Sequence, residues 1–139
     1  MKEIPHVPSG IPSACSLHLD NPERLPSNLG IADILTLIFP PGYQPQYFKI
    51  SHTLLTLLLE EQTLETNDLK EFMEKNNYSR STLYGEVIPK LVYFGLVKKG
   101  VIKGRGKPIK LTLSSNFSEI LHRIASSWEM IVALSGARQ

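Results

Sequence analysis

Six cations fall between Lys98 and Lys110: Lys98, Lys99, Lys103, Arg105, Lys107 and Lys110. No acid interrupts them, and Gly100, Gly104 and Gly106 lie among them. Cations this closely spaced make neither an acid–base pair nor a metal site. Their chemistry is to hold an anionic polymer by displacing counterions from its phosphates. Arg105 sits between glycines that add no bulk, which gives it the reach to enter a minor groove. A second set stands upstream, in YSRSTLYGEVIPKL (78–91): Arg80, Ser81, Tyr84 and Lys90. An arginine pairs bidentately with guanine, and serine or tyrosine hydroxyls bond a phosphate or a base edge. For Tyr84 the alternative is a half-buried ring with its hydroxyl in water, and Ser79 reads as a helix cap rather than a contact. The candidate binding residues are Arg80, Ser81, Tyr84, Lys90, Lys99, Lys103, Arg105 and Lys107.

Charge is divided along the chain. Up to Asn76 there are five Lys/Arg against ten Asp/Glu, a balance of −5; from Asn77 onward there are ten against three, a balance of +7. That asymmetry points to an anionic partner for the second half. The acids Glu60, Glu61, Glu65, Asp68, Glu71 and Glu74 would repel a duplex, and they read as a solvated face turned away from it. The four histidines (His6, His18, His52, His122) have no metal-ligand spacing, so no metal and no cofactor is expected. Gly106-Lys107 fails as a phosphate loop, because Val101 and Pro108 stand where Gly and Ser/Thr are required. No nucleophile–base pair or carboxylate dyad suggests catalysis. Cys15 is the only cysteine, so no intrachain disulfide forms. The proline-broken start carries no apolar signal segment, and a cytoplasmic, nucleoid-associated protein is expected.

These residues need elements to position them. Eight of the ten prolines lie within the first 46 residues, so residues 1–27 read as an extended arm. Asn28 is expected to cap a helix over LGIADILTLIF, with Ile31, Ile34, Leu35 and Ile38 inward and Pro40-Pro41 as its stop. A central helix is expected over Tyr47–Glu61, burying Phe48, Leu54, Leu55, Leu57, Leu58 and Leu59. Thr66 or Asn67 then caps DLKEFMEKN, with Leu69, Phe72 and Met73 inward, and Asn76-Asn77-Tyr78 makes a turn. Ser79 caps the next helix, whose inward stripe is Leu83, Val87, Leu91 and Phe94. Arg80, Ser81, Tyr84, Gly85 and Lys90 are expected outside, Pro89 is expected to kink the helix and free the Gly85 carbonyl, and Gly95 to end it. Two strands, Leu96–Lys99 and Ile109–Leu113, flank the glycine-rich loop. Ser115 or Asn116 caps a long amphipathic helix striped by Phe117, Ile120, Leu121, Ile124, Trp128, Ile131 and Val132.

Helix, helix, turn, helix and a two-stranded hairpin resemble the winged helix-turn-helix regulators. The likeness is carried by SRSTLYGEVIPKLVYFGLVKK (79–99) and covers roughly residues 47–113. Thr82-Leu83-Tyr84 followed by Gly95-Leu96-Val97 looks like PadR-type and archaeal repressors, with one residue more than the common spacing between Thr82 and Gly95. The resemblance implies a mainly α fold with a small β-wing (α+β), in three parts. These are a Pro-rich arm with one short helix (1–46), a winged helix-turn-helix domain (47–113) and a C-terminal helix (114–139). It also implies double-stranded DNA as partner, with Lys103, Arg105 and Lys107 gripping phosphates from the wing and the helix after Ser79 entering the major groove. The last helix resembles the MarR- and PadR-like dimerisation helix, so a homodimer through Ile120, Ile124, Trp128 and Ile131 is expected. The function implied is a dimeric transcriptional regulator. The alternatives are a partition, replication or architectural protein that spreads on DNA, and a winged helix that binds protein rather than DNA.

Overall fold

The computed structural model describes residues 16–19, 22–40, 42, 44–101 and 109–136. Helix α1 (Ile31–Ile38) starts two residues later than Asn28 would have it, because Gly30 occupies the cap position and its N–H donates to Asp33 Oδ2 at 2.9 Å. Leu35, Ile38 and Phe39 are buried, so α1 contributes to the same core as the helices that follow. The preceding segment touches it through the His18 N–H, which donates to the Leu37 carbonyl at 2.7 Å.

Helix α2 (Pro45–Glu61) opens with Pro45, where a missing N–H costs nothing. It buries Ile50, Ser51, Leu54, Leu55 and Leu58. Ser51 is tolerated there because its hydroxyl donates to the Tyr47 carbonyl at 2.6 Å. Leu59, expected inside, is 56 % exposed, while Phe48 and Leu57 are half-buried. A run of leucines longer than one helical face must leave one outside.

Strand β1 (Thr63–Glu65) follows at once, an element that the sequence pattern does not announce; it is three residues long and buries only Leu64. Helix α3 (Thr66–Asn76) buries Leu69 and Phe72. Its cap position is Glu65 rather than Thr66 or Asn67, with the Glu65 N–H donating to Asp68 Oδ2 at 2.8 Å. The Thr66 hydroxyl instead accepts the Ile109 N–H at 2.8 Å and so anchors the start of β3 to the start of α3. Asn77 makes the turn in the left-handed conformation at φ 56°.

The next helix comes in three stretches whose junctions all keep right-handed helical dihedrals: α4 (Arg80–Thr82), a π-helical turn (Leu83–Val87) and α5 (Ile88–Tyr93). Just before Pro89 the helix departs from α geometry through that π-turn, in which the Ile88 N–H reaches back five residues to the Leu83 carbonyl. In an α-helix the Pro89 ring would press on the Gly85 carbonyl, and the wider turn is one of the known ways to relieve such a clash. It also brings Ile88 to the core beside Leu83, Val87 and Leu91.

Strands β2 (Val97–Val101) and β3 (Ile109–Leu113) pair antiparallel with Lys99 opposite Leu111, and β1 adds to the other edge of β3, giving the order β1-β3-β2. The fold is therefore mainly helical with a small three-stranded antiparallel sheet. Helix α6 (Asn116–Gly136) is the last described element, and every residue from Ser118 to Gly136 is exposed. Among the described residues no helix is long and apolar enough to cross a membrane.

Gly95 joins these parts. It sits at φ +83°, and a Cβ there would meet Asn116 Cβ and the Phe117 nitrogen, each at 2.8 Å. Gly85 has open space around it. Gly95→Ala is expected to lose about 2–4 kcal/mol of stability from left-handed strain plus overpacking. Gly85→Ala is expected to lose none. Urea unfolding of the two variants beside the parent chain makes the comparison.

Candidate nucleic-acid interface

The turn between α3 and α4 is braced on both sides. The Tyr78 N–H donates to the Met73 carbonyl at 3.0 Å, and the Tyr78 ring packs against Phe72 with centroids 5.5 Å apart. The Tyr78 hydroxyl lies 3.3 Å from Thr53 Oγ1 on α2. Ser79 then caps the helix as expected, its Oγ accepting the Thr82 N–H at 3.1 Å. The same oxygen lies 3.0 Å from Ser81 Oγ and donates to Thr82 Oγ1 at 3.1 Å.

On this turn Arg80 and Ser81 are exposed and Tyr84 is half-buried. The Arg80 guanidinium lies over the Tyr84 ring at 4.8 Å from its centroid. Burial pushes the Tyr84 hydroxyl's pKa up, and the Arg80 charge pulls it the other way. The phenol therefore stays a neutral donor at physiological pH. Residues 80, 81 and 84 share one helical face, so the fold brings three of the candidate residues together as a cation, a hydroxyl and a stacked phenol. Gly85 beside them is exposed and adds no bulk.

Lys90 does not belong to that face, and its outward placement is corrected. It is 2 % exposed, and its Nζ donates to Glu86 Oε2 at 2.6 Å and lies 5.3 Å from the Tyr47 ring centroid. Lys90 stands seven residues after Leu83 and three after Val87, within the apolar arc. Charge alone would carry it outward. Instead a carboxylate and an aromatic face compensate the charge where it is. Tyr47 in turn packs edge-on to Phe39 at 6.1 Å, which ties α5 to α2 and to the end of α1. Lys90 therefore braces the helix from behind.

Lys99 is exposed on β2, on the sheet face it shares with Leu111 and Leu64. Lys103, Arg105 and Lys107 lie outside the described residues, in the segment that links Val101 to Ile109. The register adds two cations to the candidate set. Lys98 is paired with Thr112 and Lys110 with Gly100, so both exposed lysines occupy the sheet face opposite Lys99. The available signal is alternation, since each stands next to a buried apolar residue, Val97 or Ile109. Glu65 lies across from Lys110 on β1 and is the one acid on that face among the described residues.

Four of the acids gather elsewhere, beside Lys75. A cleft of about 590 Å³ between α2 and α3 is lined by Glu60, Glu61, Asp68 and Glu71 over Leu57, Leu64 and Phe72. Neither the Arg80–Tyr84 face nor Lys98 and Lys99 line it. Among the described residues no three His, Cys, Asp or Glu side chains converge as a metal site. Searches against protein-family models, curated proteins and solved structures return no match.

Removing Glu86's charge isolates a buried ammonium, whereas replacing the lysine removes the need for a partner. Glu86→Gln is therefore expected to destabilise the fold by about 1–3 kcal/mol, and Lys90→Met by less. Thermal unfolding at neutral pH ranks the two. The reverse order would mean that the ammonium is not held by this carboxylate.

Proposed function

We propose that this chain binds double-stranded DNA as a winged helix-turn-helix protein and acts as a dimeric transcriptional regulator. The observation that carries the reading is the exposed Arg80, Ser81 and Tyr84 face on a Ser79-capped helix, followed directly by a hairpin whose strands bear Lys98, Lys99 and Lys110. The order α2, α3, α4–α5 and antiparallel hairpin supports it. So does the π-turn, which takes up the one residue this chain carries beyond the common spacing between Thr82 and Gly95. The helix that follows Ser79 is the recognition helix, with its first turn toward base edges, and Tyr84 sets its register through a phosphate or a base. The hairpin grips the backbone, together with Lys103, Arg105 and Lys107 of the sequence between its two strands. A two-fold dimer through α6 sets two recognition helices about one DNA turn, ~34 Å, apart and reads a near-palindromic site. Such a protein works at the nucleoid.

A second reading is favoured by one feature, the acid-rimmed cleft over Leu57, Leu64 and Phe72. It has the character of a surface for a basic protein segment, and the fold would then be an interaction module. A protein partner retained at a salt concentration that strips all DNA supports that reading over the first.

Replacing Lys103, Arg105 and Lys107 together by Ala is expected to weaken binding to every duplex by a similar factor. Arg80→Ala is expected to reduce the preference for the best site by about tenfold or more, equivalent to 1–3 kcal/mol for a bidentate base contact. Anisotropy titrations on a selected site and on mixed-sequence DNA separate the two effects. Equal losses on both duplexes for Arg80→Ala contradict its role as a base reader.

A further inference from the structure

Helix α6 is about 30 Å long at 1.5 Å per residue, and between Ile120 and Leu134 it leaves eight large apolar side chains exposed. At roughly 60–120 Å² each, they approach the ~800 Å² that one partner contributes to a standard interface. A second copy of the chain is an occupant that fits that area, because an isologous contact lets one stripe serve twice.

The stripe is not uniform along its length. Phe117, Leu121, Ile124, Trp128 and Ile131 recur at alternating spacings of four and three, a single seam of the kind that buries one helix against another. At ~100° per residue, Met130 and Leu134 fall roughly 100–140° away from that seam. They are the most exposed of its large apolar side chains, at 67 % and 66 %. A two-helix seam does not reach them. The C-terminal end needs a second surface.

The fold carries such a surface at the other end of the same helix. A groove of about 240 Å³ opens at the base of α6, lined by Phe117 and Leu113 together with Ile31 and Ile34 of α1 and Leu59 of α2. Leu59 is the α2 leucine that the core leaves outside. In a parallel pair the C-terminal ends meet far from both grooves, so the grooves stay empty and Met130 and Leu134 stay wet. In an antiparallel pair each C-terminal end lies beside the partner's Phe117 and its groove.

Resting on the dimer proposed above, we infer that α6 pairs antiparallel with the α6 of a second copy and that Met130 and Leu134 of each helix seat against the partner's α1–α2 groove. Trp128 then packs near the partner's Ile124, close to the two-fold axis. The bodies of the two protomers lie at opposite ends of the pair, each clasping the other's C-terminus.

The test uses the full chain with Cys15→Ser as background. Sedimentation equilibrium gives the oligomeric state, and cysteines at Ser118 and Ser135 report direction through a short bis-maleimide. The expected result is a dimer in which Ser118→Cys and Ser135→Cys chains cross-link when mixed, while Ser135→Cys alone does not. Self-cross-linking of Ser135→Cys overturns the antiparallel arrangement but leaves the dimer standing. Leu59→Glu and Leu134→Glu, both at positions already open to solvent, are each expected to weaken self-association at least tenfold with unchanged helical content by circular dichroism. No effect from Leu59→Glu overturns the groove as the seat. A monomer at all concentrations overturns the inference and the proposed dimer together. Duplex binding by the same samples is read separately, so loss of the DNA reading is not confused with loss of the pairing.

Discussion

Gly95 admits no side chain, and four segments of the chain meet there. Its own N–H donates to the Val92 carbonyl at the end of α5, and its carbonyl accepts the Phe117 N–H from the start of α6, each at 3.0 Å. Next to it, the Leu96 N–H donates to the Leu91 carbonyl at 3.0 Å, and the Leu96 carbonyl accepts the Ser114 N–H at 2.9 Å. The end of one helix, the start of β2, the end of β3 and the start of α6 are therefore joined by backbone hydrogen bonds across one glycine. Side-chain packing can shift by rotamer changes, whereas the Asn116 Cβ and Phe117 nitrogen that a Cβ at Gly95 would meet cannot move by one. The Arg80–Tyr84 face, the basic hairpin and α6 share one frame because of it.

The helix in front of that junction is held just as firmly. Pro89 forbids a regular turn, and the π-turn accommodates it while keeping Leu83, Val87 and Leu91 in the core. Behind Pro89, Lys90 grips Glu86 and the Tyr47 ring, so the same stretch is fastened to α2 through a buried cation. On the opposite side, Arg80 stacked on Tyr84 presents a charge whose side chain is already partly ordered, which lowers the entropy lost when it meets a ligand. Rigid backing and an exposed, pre-organised front are what the proposed entry into a DNA groove would require.

Much of this is legible in the residues. The helices declare themselves by three- and four-residue apolar spacing, Asn77 and Gly95 by their tolerance of left-handed φ, and Ser79 by its position before an apolar run. Three features are not legible, each for a physical reason. Strand β1 is three residues with one buried side chain, too short for alternation to register, and it exists because β3 supplies a pairing edge. The burial of Lys90 depends on Tyr47, forty-three residues earlier, and local pattern assigns a lone lysine to water. The leucine run is longer than one helical face, so one leucine must lie outside, but the run does not say that it is Leu59. Within the candidate site, Arg80, Ser81 and Tyr84 fall on one face as the spacing requires. Strand alternation hints at Lys98 and Lys110, and the register puts them on one sheet face.

Part of the charge division along the chain is also spatial. Acids line the α2–α3 cleft, while Arg80 and the hairpin lysines lie off it. A protein built this way should bind DNA chiefly through released counterions, and the measurement that meets this claim head-on is duplex affinity across a salt series. Anisotropy of a labelled mixed-sequence duplex, titrated at several salt concentrations, gives the slope of log affinity against log salt. With about six phosphates neutralised per dimer the slope is expected near −5. A slope flatter than about −2, or no binding at low salt, contradicts the account.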